Sequence, residues 1–245
     1  MINGWGFEDS VLQDFTSHLQ HALPGITPLV ISPLPPNPLP IGTWLNRLHD
    51  SLVAPAQAPV WLVGWSLGGQ IAGLLAARYP NQIAGLITLC SNPCFVQRSG
   101  WQSAMSNTVF DAFVMGVDQH AEQTQQRFAG LCAQGSEQAK PLMRQLRSHL
   151  ARHAASTRAS LGLSWLGTLD SREALNTLMC PQLHLFAERD ALVPVSAACA
   201  VHSNVPKSFV ECVEHAGHAL PVDMPVETVA QIKRFIMAQG CTCGI

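Results

Sequence analysis

Charge is scarce in this chain. Lys, Arg, Asp and Glu together make up 12% of its 245 residues, and the formal net charge is −2. That share is about half of the usual one, which excludes a broad charge-driven hold on nucleic acid or on an anionic membrane surface. Any electrostatic partner must be met locally. No run of about eighteen apolar residues occurs, and "MINGWGFEDS" at the start lacks a basic stretch leading into an apolar one. The expectation is a cytoplasmic protein with no nucleic acid or membrane partner. Neither G-x-G-x-x-G nor G-x-x-x-x-G-K-[ST] is found, which excludes the common nucleotide-binding turns. There is no H-E-x-x-H, so His149 and His153, four apart, read as solvated residues on a helix. The eight cysteines are scattered, four of them in or beside apolar segments, and read as reduced. Cys241 and Cys243 have no partner pair at zinc spacing and read as a frayed tail, so no metal or other cofactor is expected.

Apolar residues, at 47%, are what the chain has in quantity. They suffice for one compact domain with an insertion, expected as a monomer. Helical spacing runs from Val11 to Leu19, and "ITPLVIS" (26–32) reads as a short buried strand. The proline-rich loop "PLPPNPLP" follows, then a helix carrying Trp44, Leu45, Leu48 and Leu52. Strands are expected at 60–63, 83–90, 182–190 and 208–215, with a helix after the first that stops at Pro80 and a closing helix over 226–237. Short apolar strands alternating with helices signal an α/β fold with a mostly parallel sheet covered on both faces. Between Ser91 and Asp170 the pattern turns helical, with stretches at 109–117, 125–132, 141–150 and 157–166. We therefore expect a core of 1–94 and 171–245 and a helical lid of 95–170.

The stretch "VWLVGWSLGGQIAGLLAARYP" places Ser66 between Gly64 and Gly68, at the tip of a strand and the start of a helix. G-x-S-x-G in that setting is a turn tight enough to strain its central residue and lift the hydroxyl out of the sheet. The amide after the serine, that of Leu67, points where an oxyanion would form. A serine hydroxyl is a weak nucleophile and needs a base oriented by a carboxylate. Asp190, in "ERDALVP", follows a buried strand, where parallel sheets collect functional groups. "HAGHALPVDMP" offers two bases, His215 and His218, which spacing alone does not separate. Asp170 and Asp223 follow no buried strand and read as surface residues.

The order Ser66, Asp190, then a histidine resembles that of the α/β-hydrolase superfamily. The resemblance favours His218, with Pro225 opening the last helix. It also likens "INGWG" to the family's His-Gly-Trp-Gly turn, which implies Trp5 as the second oxyanion donor, with Asn3 in place of the histidine. By the same likeness two N-terminal strands are missing, so the sheet should show about six, with its first edge exposed or covered by a partner. "GWSLGG", "SNPCFVQRSGW" and "RFAGLCAQG" in order resemble, more narrowly, the pimeloyl-acyl-carrier-protein methyl ester esterase (BioH) family of biotin synthesis. That resemblance implies a serine carboxylesterase acting on the methyl ester of pimeloyl-acyl-carrier protein. It further implies that Trp5, Ser66, Leu67, His218 and the run Phe128, Ala129, Gly130, Leu131 and Cys132 contact the acyl chain.

Six basic residues (Arg127, Lys140, Arg144, Arg147, Arg152, Arg158) against one acid, Glu137, give residues 127–158 a local charge of +5. Lys140, Arg144 and Arg147 share a helix face, with Leu142, Leu146 and Leu150 turned to the core. By itself this reads as a solvated face. The resemblance implies instead docking of an acidic acyl carrier protein, with Arg127 and Arg144 at matching positions and Gln123 where the family has an arginine. Two other readings stay open: a general short-chain carboxylesterase or thioesterase with the same triad, and a non-catalytic small-ligand receptor on this fold.

Overall fold

The computed structural model describes residues 1–151 and 157–240. Four parallel strands lie side by side in sequence order: β1 (Val60–Trp65), β2 (Ile83–Leu89), β3 (Gln182–Ala187) and β4 (Ser208–Val213). Their registers align Trp65 with Leu89, Leu89 with Leu185, and Ala187 with Val213, so all four strands end at one edge of the sheet. β3 is buried throughout and β2 nearly so, which is why they read as continuous apolar runs. β4 closes one edge and is largely open to solvent.

Beyond β1 the sheet continues in two single-residue bridges, Ile2 to Gly64 and Ile2 to Ile31. The Ile2 amide donates to Val63 O (2.8 Å) and its carbonyl accepts from Trp65 N (3.0 Å). Among the described residues the sheet therefore has four strands where about six were expected, and Ile2 and Ile31 extend it only by single-residue bridges. The 26–32 stretch corrects one expectation: only Ile31 pairs, and the segment lies half-buried or exposed along the edge. Pro28 within the stretch and Pro33 directly after it have no amide to give to a ladder.

The helices are α1 (Gln13–Ala22), α2 (Ile41–Leu48), α3 (Leu67–Arg78), α4 (Asn107–Ala133), α5 (Ala139–Ser148), α6 (Thr157–Thr168), α7 (Arg172–Thr177), α8 (Ser196–Asn204), the short α9 (Leu220–Asp223) and α10 (Pro225–Ala238). α3 is buried on nearly every side, and its Gly and Ala residues let it press against β1 and β2. The two helices expected at 109–117 and 125–132 meet within α4 at a break, where His120 has non-helical dihedrals (φ −145°, ψ 57°). α4, α5 and α6 lie between β2 and β3 in sequence, and both α5 and α6 pack on α4.

The segment before α4 is pinned to the core. Trp101 Nε1 donates to Asn92 Oδ1 (2.8 Å), Asn92 Nδ2 to Ser103 O (2.8 Å), and Gln70 Nε2 of α3 to Asn92 O (2.9 Å). This gives "SNPCFVQRSGW" a structural reason for its composition. Asp170 is no free surface residue either: Arg172 holds it at 2.6 Å and Arg98 lies at 3.8 Å. Arg172 keeps its carboxyl acidic, down to about 2. His149 follows α5 and bonds Ser10 Oγ through Nδ1 (2.9 Å) at the surface. Arg152, His153, Cys241 and Cys243 lie outside the described residues.

Candidate active site

The turn after β1 has the strain that its sequence demands. Ser66 sits at φ 54°, ψ −121°, a conformation L residues rarely adopt. The flanking glycines are sterically required: a Cβ on Gly64 would stand 2.3 Å from Gly68 O, and one on Gly68 would stand 2.2 Å from Ile2 O. Ser66 N is tied to Leu89 O (2.9 Å), which fixes the turn to β2. The N-terminal segment thus packs directly on the serine turn.

Three side chains meet at the carboxyl edge of the sheet. Ser66 Oγ lies 3.0 Å from His218 Nε2, and His218 Nδ1 lies 2.8 Å from Asp190 Oδ2. The other carboxylate oxygen, Oδ1, accepts the amides of Leu192 (2.8 Å) and Val193 (2.9 Å). Trp65 Nε1 donates to His218 O (2.9 Å), and Ala219 N to Cys132 O (3.1 Å), so both flanks of the histidine are held. His218 and Asp190 side chains are each 1% exposed. His215 is excluded from this cluster: its side chain is half-exposed and paired with Arg189. Asp223 is likewise elsewhere, bonded to Ser136 Oγ (2.8 Å).

A serine in line with an imidazole and a carboxylate can act as a nucleophile toward an acyl carbon, with the imidazole as base. The amide of Leu67 opens α3, where the helix dipole favours negative charge. Among the described residues neither the Leu67 nor the Trp5 amide is spent on a loop or strand carbonyl. Asn3 explains how the turn at Trp5 is held without the expected histidine. Its Oδ1 accepts Gly4 N (2.7 Å), and its Nδ2 reaches Phe7 O (3.3 Å), Glu8 O (3.2 Å) and Asp9 Oδ1 (3.3 Å).

Trp5 is buried, with its indole Nε1 donating to Ala159 O of α6 (3.0 Å) and its ring edge-on to Phe128 (4.9 Å) and Phe113 (5.6 Å). Phe7 stacks on Trp65 and also meets Phe128. The serine turn is therefore roofed by aromatic rings from the N-terminal loop and α4. Phe128, Ala129 and Cys132 are buried, whereas Leu131 is partly exposed and Gly130 faces Met143 of α5. Cys132 stands by the acid: burial and the neighbouring Asp190 push its thiol pKa well up. Cys90 does the same from the end of β2. The ligand atoms of Cys90, Asp190 and His218 lie within 4.8 Å of one another, a spacing that metals also use. Burial keeps that thiol protonated, and both His218 nitrogens are already engaged by Ser66 and Asp190. Cys90 and the Trp65 indole were missed as site neighbours in the sequence, whereas the resemblance had placed Cys132 and Asn3 at the site.

Residues 2–232 match the alpha/beta hydrolase family. The pimeloyl-[acyl-carrier protein] methyl ester esterase of Aeromonas salmonicida is 31% identical over 96% of this chain and 94% of its own. The chain belongs to this esterase family of α/β hydrolases. A biotin biosynthesis bifunctional protein of Teredinibacter turnerae is 34% identical over 98% of this chain, which spans 44% of that protein's length. Among solved structures, an esterase from Exiguobacterium antarcticum superposes with a TM-score of 0.80 at 19% identity, covering 96% of this chain and 91% of that one. A bromoperoxidase from Bacillus anthracis gives 0.82 at 18%, covering 96% and 90%. The fold of the esterase family is shared with these neighbours. No described helix is long and apolar enough to cross a membrane.

Proposed function

We propose that this protein is a serine carboxylesterase that hydrolyses the methyl ester of pimeloyl-acyl-carrier protein in biotin synthesis, releasing methanol. The observation that carries the reading is the hydrogen-bonded line Ser66, His218, Asp190 at the strand edge. It is supported by the match, along nearly the whole chain, to relatives named for that reaction and to one named for biotin biosynthesis.

His218 takes the Ser66 proton as Oγ attacks the ester carbonyl at the far end of the acyl chain. The Leu67 and Trp5 amides hold the oxyanion. His218 then returns the proton to the departing methoxide, methanol leaves, and water attacks the acyl-enzyme by the same route. The product carboxylate is poorly matched to the apolar roof of Trp5, Phe128 and their neighbours, which favours release.

The helical segment 95–170 acts as the lid in this reading. Arg127 on α4 and Lys140, Arg144 and Arg147 on α5 are exposed, while Leu142 and Leu146 are buried, so the cations are free to meet an acidic carrier. An apolar pocket discriminates only about 1–3 kcal/mol per methylene, which leaves carrier docking much of the selectivity. The deciding experiment is mass spectrometry of methyl-pimeloyl-acyl-carrier protein incubated with wild type and Ser66→Ala. Demethylation by wild type alone, with the thioester intact, is expected. Failure to demethylate, with fast cleavage of a short nitrophenyl ester, would replace this substrate by a general carboxylesterase reading.

A further inference from the structure

His218 sits on a loop with far to reach. The loop leaves β4, the solvent-open edge strand, and crosses the ends of β3 and β2 to bring its imidazole to Ser66 at the end of β1. Three strand spacings make that roughly 14 Å. A catalytic group on a loop keeps its geometry only where more rigid elements hold it. Two of the holds come from near the loop: Arg189 N donates to Ala216 O (2.9 Å) from just beyond β3, and Ala219 N donates to Cys132 O (3.1 Å) of α4. A third comes from the far side. Trp65, the last residue of β1, directs its indole Nε1 to His218 O (2.9 Å).

Trp65 directly precedes the nucleophile, so this bond ties the base to the strand that carries Ser66. The indole is 0% exposed and is itself fixed. Phe7 stacks on it (5.4 Å between ring centres, 17° between planes), and a Cβ on Gly4 would stand 3.0 Å from its Cε3. The Trp65 main-chain amide donates to Ile2 O (3.0 Å). His218 is equally buried, and among the described residues no other donor reaches its carbonyl. Without the indole that oxygen would be left buried and unpaired. The peptide would then turn to find a donor, which draws the ring out of its 3.0 Å contact with Ser66. We infer that Trp65 is a positioning residue for the catalytic base. It acts through the His218 peptide and takes up no proton itself. The inference rests on Ser66 and His218 as nucleophile and base.

The test removes the N–H and little else. Benzothienylalanine incorporated in place of Trp65 keeps the fused rings and puts sulfur where the N–H was. With a short nitrophenyl ester, kcat should fall about 10- to 100-fold while KM stays within about twofold, since the lost bond serves the transition state and not ester binding. The acid limb of the kcat/KM pH profile should stay where wild type has it, because the ring is displaced and not recharged. Trp65→Phe, which loses the N–H and part of the packing, should lose at least as much kcat; either variant suffices if the other fails to fold. An undiminished kcat in a folded variant would overturn the assignment. So would a loss confined to KM, which would place Trp65 in the ester pocket, or a shifted acid limb, which would make it a tuner of charge. Turnover that survives in His218→Ala would remove the base itself, and the role of Trp65 with it. A wild type that cleaves no ester would instead remove the esterase reading.

Discussion

Asp190 divides its carboxylate between two tasks, giving Oδ1 to the amides of Leu192 and Val193 and Oδ2 to Nδ1 of His218. The two amides fix which oxygen faces the histidine. In Asp190→Asn the remaining carbonyl oxygen would stay with those amides, because only an oxygen can accept from them. The new NH2 would then point at Nδ1 and force the proton onto Nε2, where His218 can no longer serve Ser66. Turnover of a nitrophenyl ester should fall by a factor on the order of 10⁴ with the circular dichroism spectrum unchanged. A loss under about tenfold would mean that Asp190 does not orient the base.

Gly162 leaves the space that the Trp5 indole fills, since a Cβ there would stand 2.1 Å from Trp5 Cδ1. Gly162→Leu should therefore push the indole off Ala159 O and shift the turn that carries the Trp5 amide. We expect kcat to fall by about tenfold or more, and stability to fall by about 1–3 kcal/mol in urea titration. Unchanged kcat in a folded variant would show that the Trp5 turn is not needed at the transition state.

Arg144 and Arg147 are exposed on α5, and Arg147 makes only a long contact with Gln126 O (3.5 Å). Reversing both to Glu should raise KM for the carrier-bound ester, steeply at low salt, and leave small-ester hydrolysis unaltered. Parallel losses on both substrates would place these cations outside any docking surface.

The parts of this architecture that were legible in the sequence are those enforced locally. Ser66 was readable because a strained turn requires Gly64 and Gly68 at fixed offsets, and β2 and β3 because double-sided burial makes them uniformly apolar. Choosing His218 over His215 needed either the family resemblance or the structure, since both follow the same strand within four residues. The half-buried 26–32 stretch misled because its apolar residues pack from an edge rather than pair. Cys90 and the Trp65 indole were invisible as site neighbours because their contacts cross from a strand end to the loop that carries His218, and no spacing rule records that.

Cys90 and Cys132 are fully buried beside Asp190, and burial raises both thiol pKa values well above the ordinary range. Cys199 and Cys212 are exposed. Native protein treated with iodoacetamide should be alkylated at Cys199 and Cys212 and spared at Cys90 and Cys132, as read by peptide mapping. Labelling of Cys90 at a rate like that of Cys199 would show that the site opens far more readily than its packing implies.

His184, in the middle of β3, bonds Thr88 Oγ1 of β2 through Nδ1 (2.7 Å), and its buried Nε2 has no partner among the described residues. Burial lowers its pKa from 6.5 to about 4, so it is neutral in the folded protein near neutrality. The unfolded chain binds a proton at the higher value, so between the two values unfolding takes up a proton. Stability contributed by the neutral ring is complete above the unfolded pKa and drains away as pH falls through that window toward the folded one. The loss from about pH 7 to about pH 5 should be on the order of 2 kcal/mol. Urea titrations of wild type and His184→Gln at both pH values isolate this contribution, because the variant lacks the titrating ring while its amide can still meet Thr88. The wild type should lose about that much more stability than the variant on acidification. Equal losses in both proteins would show that His184 is not the group whose protonation strains the sheet.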